Sequence, residues 1–334
     1  MRSDCPRIAS LQDAKPQPVS WLWTGRMAAG RLMLVDGDPG QGKSLLAIDV
    51  AALLTTGRPF PGEEEPREPA AAILLAAEDN LCDTIVPRFL AAGGDGKKVF
   101  PWDEDKPPVF PEDCLRLSEL IHQTQARLVI LDPFFAFLGA DVSSLNDLAI
   151  RRALDPLAGV AEATQAAILL LRHLSKTSIG KDARYRGLGS MAILGVARTA
   201  FLLAADPDDA GLRVLACIKN NLAALPSALG FRITKNPAGQ PVLAWQGPVP
   251  RSADDLVATG RRRGEAVPKA VEFLLEHLSA GPCLRQTLLE QAAREGLSFR
   301  TLERAKSELG VLSQQRREDG RNVWYWMLKR FPGL

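Results

Sequence analysis

Between Leu34 and Asp49 the chain reads LVDGDPGQGKSLLAID, and this stretch limits the possible folds more than any other. Gly37, Gly42, Lys43 and Ser44 fit the spacing G-x-x-x-x-G-K-[ST] of a phosphate-binding loop. The apolar run RLMLVDG before it predicts a buried strand. SLLAIDVAALL after it, apolar at i, i+3 and i+4, predicts a helix. Glycines at this junction let backbone N–H groups curl around an anion with no side chain in the way. The helix N-terminus adds partial positive charge. Gly37, Asp38, Pro39, Gly40, Gln41, Gly42, Lys43, Ser44 and Leu45 are therefore the expected nucleotide-binding set. Lys43 is expected to reach the β- and γ-phosphates of ATP, and Ser44 to ligate Mg²⁺.

The rest of the first two thirds repeats the alternation of strand and helix. Apolar runs at 31–36, 71–77 (AAILLAA), 127–132 (RLVILD) and 166–173 (AAILLLRH) are separated by helix-length segments. Continuous apolar strands with crossover helices predict an α/β fold with a mostly parallel sheet covered on both faces. Further runs at 198–205, 213–220 and 229–234 lie close together and are expected to be antiparallel additions. Residues 1–20 form a polar lead-in, 21–246 the ATPase domain, 247–266 a linker and 267–334 a second domain. That second domain reads as three helices, the first from Pro268 and the third capped by Ser298, then two strands around Asp319-Gly320. This is the order of a winged helix-turn-helix.

A chain of 334 residues accommodates two such domains. The net charge of +2 hides an asymmetry. Residues 251–334 carry 15 Lys/Arg against 11 Asp/Glu, so the positive excess lies in the C-terminal quarter, where a polyanion could bind. The five cysteines are odd in number and form no C-x-x-C pair, which predicts reduced thiols in a cytoplasmic protein without a zinc site. The first residues have no apolar signal core, and no run approaches the ~18 apolar residues that span a bilayer, so no membrane association is expected.

Hydrolysis needs more than a phosphate loop. Asp132 closes an apolar strand, the pattern of the acid that completes the Mg²⁺ shell. LLAAEDN places Glu78 beyond another strand end, in the crevice where such sheets react, with Asp79 as its competitor for activating water. His173 in LLLRHLSK ends a third strand, where it could sense the γ-phosphate and signal to the segment after it. That segment carries Lys176, Lys181, Arg184 and Arg186 among glycines, suited to a nucleic-acid backbone.

These stretches in order, GDPGQGKS, LLAAEDN, LVILDP, LLLRHLSK, RGLGSMAILGVARTAFLL and CIKNNLAALPSALGFRI, resemble the RecA-fold ATPases similar to RepA, a plasmid replicative helicase. The resemblance covers about residues 20–246. It implies a RecA-like P-loop NTPase core that assembles as a ring, with ATP between neighbouring subunits. It also implies that Glu78 is the catalytic carboxylate, Asp132 the acid on the metal side and His173 the γ-phosphate sensor. Arg198 matches the arginine finger supplied to the neighbour's site, assisted by Lys219. Related helicases carry K-x-R there, and this chain has Asn221 in place of the arginine. The C-terminal segment resembles winged helix-turn-helix units appended to many such ATPases. Its recognition helix would expose Arg300, Arg304 and Lys306. The wing would carry Arg316, Arg317 and Arg321, with Trp324, Tyr325 and Trp326 completing its core or edge. The implied function is an ATP-hydrolysing, ring-forming helicase or translocase, most simply a hexamer, on single-stranded DNA. A replication initiator or a primase is a candidate partner. The alternative is an ATP-switched regulator that reads DNA through the winged helix, and that helix could equally dock protein.

Overall fold

The computed structural model describes residues 15–102, 106–139, 142, 146–175, 183, 187–189, 191–318 and 321–328; at 258–266, 300, 318 and 321 it describes the backbone alone. Among these residues the chain divides into two compact units, the first running to Ala253 and the second from Asp254. No helix of the described residues is long and apolar enough to cross a membrane.

The first unit opens with a small hairpin, β1 (Trp21–Trp23) and β2 (Met27–Ala28). Nine strands follow in one sheet. They are β3 (Leu32–Gly37), β4 (Ala71–Ala76), β5 (Val99–Pro101), β6 (Ala126–Asp132), β7 (Ala167–His173), β8 (Thr199–Ala205), β9 (Leu212–Asn220), β10 (Ala228–Lys235) and β11 (Pro241–Val249). Their spatial order is β11-β10-β9-β8-β3-β7-β6-β4-β5. From β8 to β5 every pairing is parallel, and β9, β10 and β11 continue the sheet antiparallel. The four apolar runs read from the sequence are thus parallel and contiguous, in the order β3-β7-β6-β4. Sequence patterning misassigned β8, which lies parallel to β3. The connection from His173 to Thr199, which includes helix α5 (Ala192–Val196), is long enough for the crossover that parallel pairing requires. Patterning also missed β1, β2, β5 and β11, which are short or only half-buried.

Helix α1 (Lys43–Thr56) follows β3 directly and is apolar on all sides, with twelve of its fourteen residues buried. A helix buried this completely has no solvent face. It packs under an aromatic cluster in which Trp23 lies 5.3 Å from Phe60 and edge-on to Trp245, which also meets Phe231 at 4.9 Å. Trp245 Nε1 donates to the buried carboxylate of Asp49 on α1 at 2.9 Å. Helices α2 (Val86–Ala91), α3 (Cys114–Thr124) and α4 (Asp147–Thr164) complete the connections between parallel strands.

The second unit holds helices α6 (Ala253–Ser279), α7 (Arg285–Arg294) and α8 (Phe299–Leu309), with strands β12 (Cys283–Leu284), β13 (Leu312–Glu318) and β14 (Arg321–Met327) in the order β12-β14-β13. Residues 253–266, read as part of a linker, are helical, and Pro268 lies inside α6 instead of opening it. Asp254 and Asp255 sit in the first turn, where acidic side chains favour a helix start. Ser298 caps α8, accepting from the Thr301 N–H, and Gly310 ends it at φ 64°. Ala270, Phe273, Leu274 and Leu278 of α6 bury against Leu288, Leu302, Ala305 and a fully buried Trp326. Arg304 is exposed, but Lys306 is not: it is half-buried, with Nζ 4.7 Å from the Trp326 ring centroid. The lysine stem covers the indole while the ammonium meets its face. Trp324 is exposed, and Arg316 stacks over Tyr325 at 5.0 Å. The Asp319-Gly320 turn lies outside the described residues, as do the side chains of Arg300 and Arg321.

Candidate active site

The end of β3 builds the anion cradle. At Gly37 a Cβ would lie 2.6 Å from the Leu203 carbonyl of β8, so only glycine lets the two strand ends close up. Gly40 (φ 76°) and Gly42 (φ 96°) take the left-handed backbone that glycine adopts without strain. Between them the Gln41 N–H donates to the Asp38 carbonyl at 3.4 Å. Lys43 opens α1 with its side chain buried. Its Nζ donates to the Gly37 carbonyl at 2.8 Å, the Asp38 carbonyl at 3.1 Å and His173 Nδ1 at 3.2 Å. Burial pulls the Lys43 ammonium below the usual lysine range, while Asp132, Asp38, Asp36 and Glu78 act in the opposite sense.

The neighbouring parallel strands end beside this cradle. On β6, burial pushes the Asp132 carboxyl above its ordinary range; its hydrogen bond with Ser44 and the charge of Lys43 oppose the shift, while Glu78 and Asp79 add to it. Just past β4, the Ala77 N–H donates to the Asp132 carbonyl at 2.9 Å, which carries Glu78 to the same place. On β7, His173 pairs in register with Gly37. An ammonium opposite Nδ1 makes that nitrogen the acceptor and leaves the ring proton on Nε2, which faces Glu78 Oε1 at 3.7 Å. Asp79 turns instead to Arg88 on α2, at 2.9 Å. Asn80 caps a single π-helical turn, Leu81–Ile85, by accepting from the N–H groups of Cys82 and Asp83. That turn holds the Glu78–Asp79 pair at the strand end.

Lys43, Ser44, Glu78, Asp132 and His173 thus converge on one cleft of about 350 Å³. Its other walls include Arg88, Ile233 and Pro241, which motif reading did not find. Arg88 belongs to no motif, and Ile233 and Pro241 arrive from β10 and β11, far along the chain. A guanidinium and aliphatic walls beside a phosphate cradle suit the base and sugar of a nucleotide. The paired hydroxyl and carboxylate of Ser44 and Asp132 are hard oxygen donors next to that cradle, and their chemistry fits Mg²⁺. When bound there, the ion neutralises charge on the phosphates.

Arg198 and Lys219 lie elsewhere. The Arg198 N–H donates to the Leu32 carbonyl, at the opposite end of β3 from the phosphate loop and about 17 Å away along the strand. Arg198 is exposed. Lys219 Nζ donates to the carbonyls of Leu194 (2.6 Å), Gly195 (3.3 Å) and Ala197 (2.8 Å), so in this chain it caps α5. Burial, and then the charge of Arg198, hold the Lys219 ammonium below its usual range. Lys176, Lys181, Arg184 and Arg186 lie outside the described residues.

No curated protein matches this chain. A family model described as an AAA domain matches residues 3–178, just over half the chain, and includes the phosphate loop, Glu78, Asp132 and His173. A phosphate cradle at the head of a parallel sheet, two acids and a histidine around it, and that match lead to one conclusion: the chain belongs to the AAA-domain family of P-loop ATPases.

Proposed function

We propose that the protein is an ATP-driven motor on single-stranded DNA that works as a ring, most simply a hexamer, with a RecA-like core resembling the RepA-type helicases. The observation that carries this reading is the split between Arg198 and the cleft. Lys43, Ser44, Glu78, Asp132 and His173 meet at one end of the sheet, and an exposed arginine stands at the other, out of reach of its own cleft. An arginine so placed is available to a neighbour's nucleotide and not to its own. Exposed Met191 and Leu225 lie near it, around a cleft of about 550 Å³ that Lys219 also lines.

Within one subunit, Lys43 holds the β- and γ-phosphates in place of the backbone carbonyls it now meets. Glu78 orients the attacking water and takes its proton, and the bond from the γ-phosphorus to the bridging oxygen breaks to leave ADP and phosphate. Glu78 suits this role better than Asp79, whose carboxylate is engaged by Arg88. His173, between Lys43 and Glu78, registers whether the γ-phosphate is present. The basic residues between Ser175 and Gly187 contact the DNA backbone, and the second unit is a winged helix.

A second reading, an ATP-switched regulator of duplex DNA, draws on the second unit, where Arg304 and Phe299 are exposed on α8. Displacement of a labelled strand from a forked duplex separates the two. A motor releases the strand with ATP and not with a non-hydrolysable analogue. No release under any nucleotide, together with tight duplex binding, would overturn the motor in favour of the switch.

A further inference from the structure

Strands β13 and β14 form a hairpin that outruns its own sheet. β12 pairs with β14 only at Tyr325 and Trp326, so from Trp324 toward the turn the hairpin is two strands wide. Alternate residues of a strand share a face. One face of this hairpin therefore carries the opposed pairs Ser313–Trp326, Gln315–Trp324 and Arg317–Asn322. The other carries Gln314–Tyr325 and Arg316–Val323, and there Arg316 stacks over the Tyr325 ring. The first face starts in the core and ends in water. Trp326 is fully buried, with Lys306 of α8 against its ring. Trp324, one step further along the same face, is 46% exposed. Gln315, Arg317 and Asn322 beside it are exposed as well. Among the described residues no ring or cation stacks on Trp324, no acceptor meets its indole N–H, and no carboxylate pairs with Arg317.

A single exposed aromatic side chain is ordinary on a protein surface. This one differs in its neighbours. A face built for a protein partner would ring the indole with aliphatic side chains, whereas this one flanks it with two amides and a guanidinium. Amides donate to and accept from the edge of a base, and a guanidinium neutralises a phosphate. The indole itself offers a flat π-face. A base inside a duplex has both faces covered by its neighbours in the stack, so only an unpaired base can lie on that indole. We propose that Trp324 is a stacking platform for an unpaired base of single-stranded DNA, with Gln315 and Asn322 at the base edge and Arg317 on the adjoining phosphate. The inference deepens the single-stranded DNA reading and rests on it, adding a contact in the second unit. Every base has a π-face, so the platform holds the strand without reading its sequence.

The experiment uses the full chain and a single-stranded oligo(dT) in which one thymine is replaced by 5-iodouracil, a base that on irradiation joins an aromatic ring stacked against it. The expected result is an adduct on the peptide that holds Trp324. Excess oligo(dT) should suppress it, and a strand of equal length made of abasic sites should not. Trp324→Ala is expected to abolish the adduct and to weaken oligo(dT) binding by about 5- to 150-fold, the range of one lost base–aromatic stack. Trp324→Phe should restore most of that affinity. Arg317→Gln should weaken binding and flatten its logarithmic salt dependence by about 0.7, the share of one phosphate contact on a single strand. A folded Trp324→Ala that keeps the wild-type affinity, or an abasic strand that competes as well as oligo(dT), overturns the proposal. Failure of both Trp324 variants to fold also overturns it, since the indole would then be structural. Adducts confined to the first unit overturn the platform and leave the motor standing. A wild type that binds no oligo(dT) overturns both. An adduct at Trp324 without ATP-dependent strand displacement upholds the platform and overturns the motor.

Discussion

At the scale of single residues, the site works by desolvation and opposed charge. Lys43 is buried among carboxylates, and Asp132 is half-buried against a lysine and a hydroxyl; each is held away from its ordinary titration range by loss of water. Such displaced groups mark sites where charge is to be met by a ligand. Glu78 differs, because its side chain is 63% exposed and stands open to the water it would activate. Glu78→Gln keeps shape and hydrogen-bonding capacity but cannot take a proton. It is expected to bind ATP as the wild type does and to lose hydrolysis by about 10²-fold or more. Steady-state ATPase assays beside nucleotide-binding titrations check this. A wild-type rate in Glu78→Gln and a collapse in Asp79→Asn would transfer the role to Asp79.

Elements hold these residues in place through contacts that a linear motif does not contain. The turn after β8 carries Asp206, whose buried carboxylate accepts Arg251 Nε at 2.7 Å and Nη2 at 3.0 Å. Arg251 lies just after β11 and so ties the last strand of the sheet back to β8, next to the start of α6. The Arg251 hydrogen bonds hold the Asp206 carboxyl below the usual carboxylate range; burial opposes them, and the Asp208 and Asp209 N–H groups assist. A depressed carboxyl stabilises the fold above its unfolded pKa of about 4 and loses that stabilisation as pH falls through its own lower value. Melting temperature followed from neutral pH toward pH ~3 should therefore drop more steeply for the wild type than for Arg251→Ala, whose Asp206 lacks the partner that depresses it. Parallel profiles would show that the tie contributes nothing.

At the scale of the whole molecule the proposed mechanism needs more than one chain. Arg198 lies at the far end of the sheet from its own phosphate loop, so hydrolysis would be completed across an interface. An arginine supplied in this way contributes about 10³–10⁵ in rate in phosphoryl-transfer enzymes. Arg198→Ala should bind ATP but fail to hydrolyse it, and Lys43→Ala should lose binding. The two damage opposite sides of the same junction. Mixed assemblies contain some junctions with an intact loop and an intact arginine, and these should recover part of the ATPase activity that each variant lacks alone. If co-assembly is demonstrated and activity never rises, Arg198 acts within its own chain or only supports the fold.

The phosphate loop was legible in the sequence because its chemistry is local. Glycines, lysine and serine at fixed spacing make the cradle whatever surrounds it, and the apolar runs before and after it specify strand and helix by their period. Asp132, Glu78 and His173 were legible for a related reason: each ends a buried strand, and parallel strands bring their ends to one edge. Strand order was not legible, because it depends on how all nine strands bury one another and not on any window of sequence. That order brought Arg88, Ile233 and Pro241 into the cleft, placed Arg198 and Lys219 at its opposite end, and set Asp36 against Arg172 across 136 residues of chain. The same holds for Lys306, whose charge suggested an exposed contact until packing laid it over Trp326. Residue type and spacing determined which chemistry the chain carries; burial and register, which are collective, decided which of those groups meet.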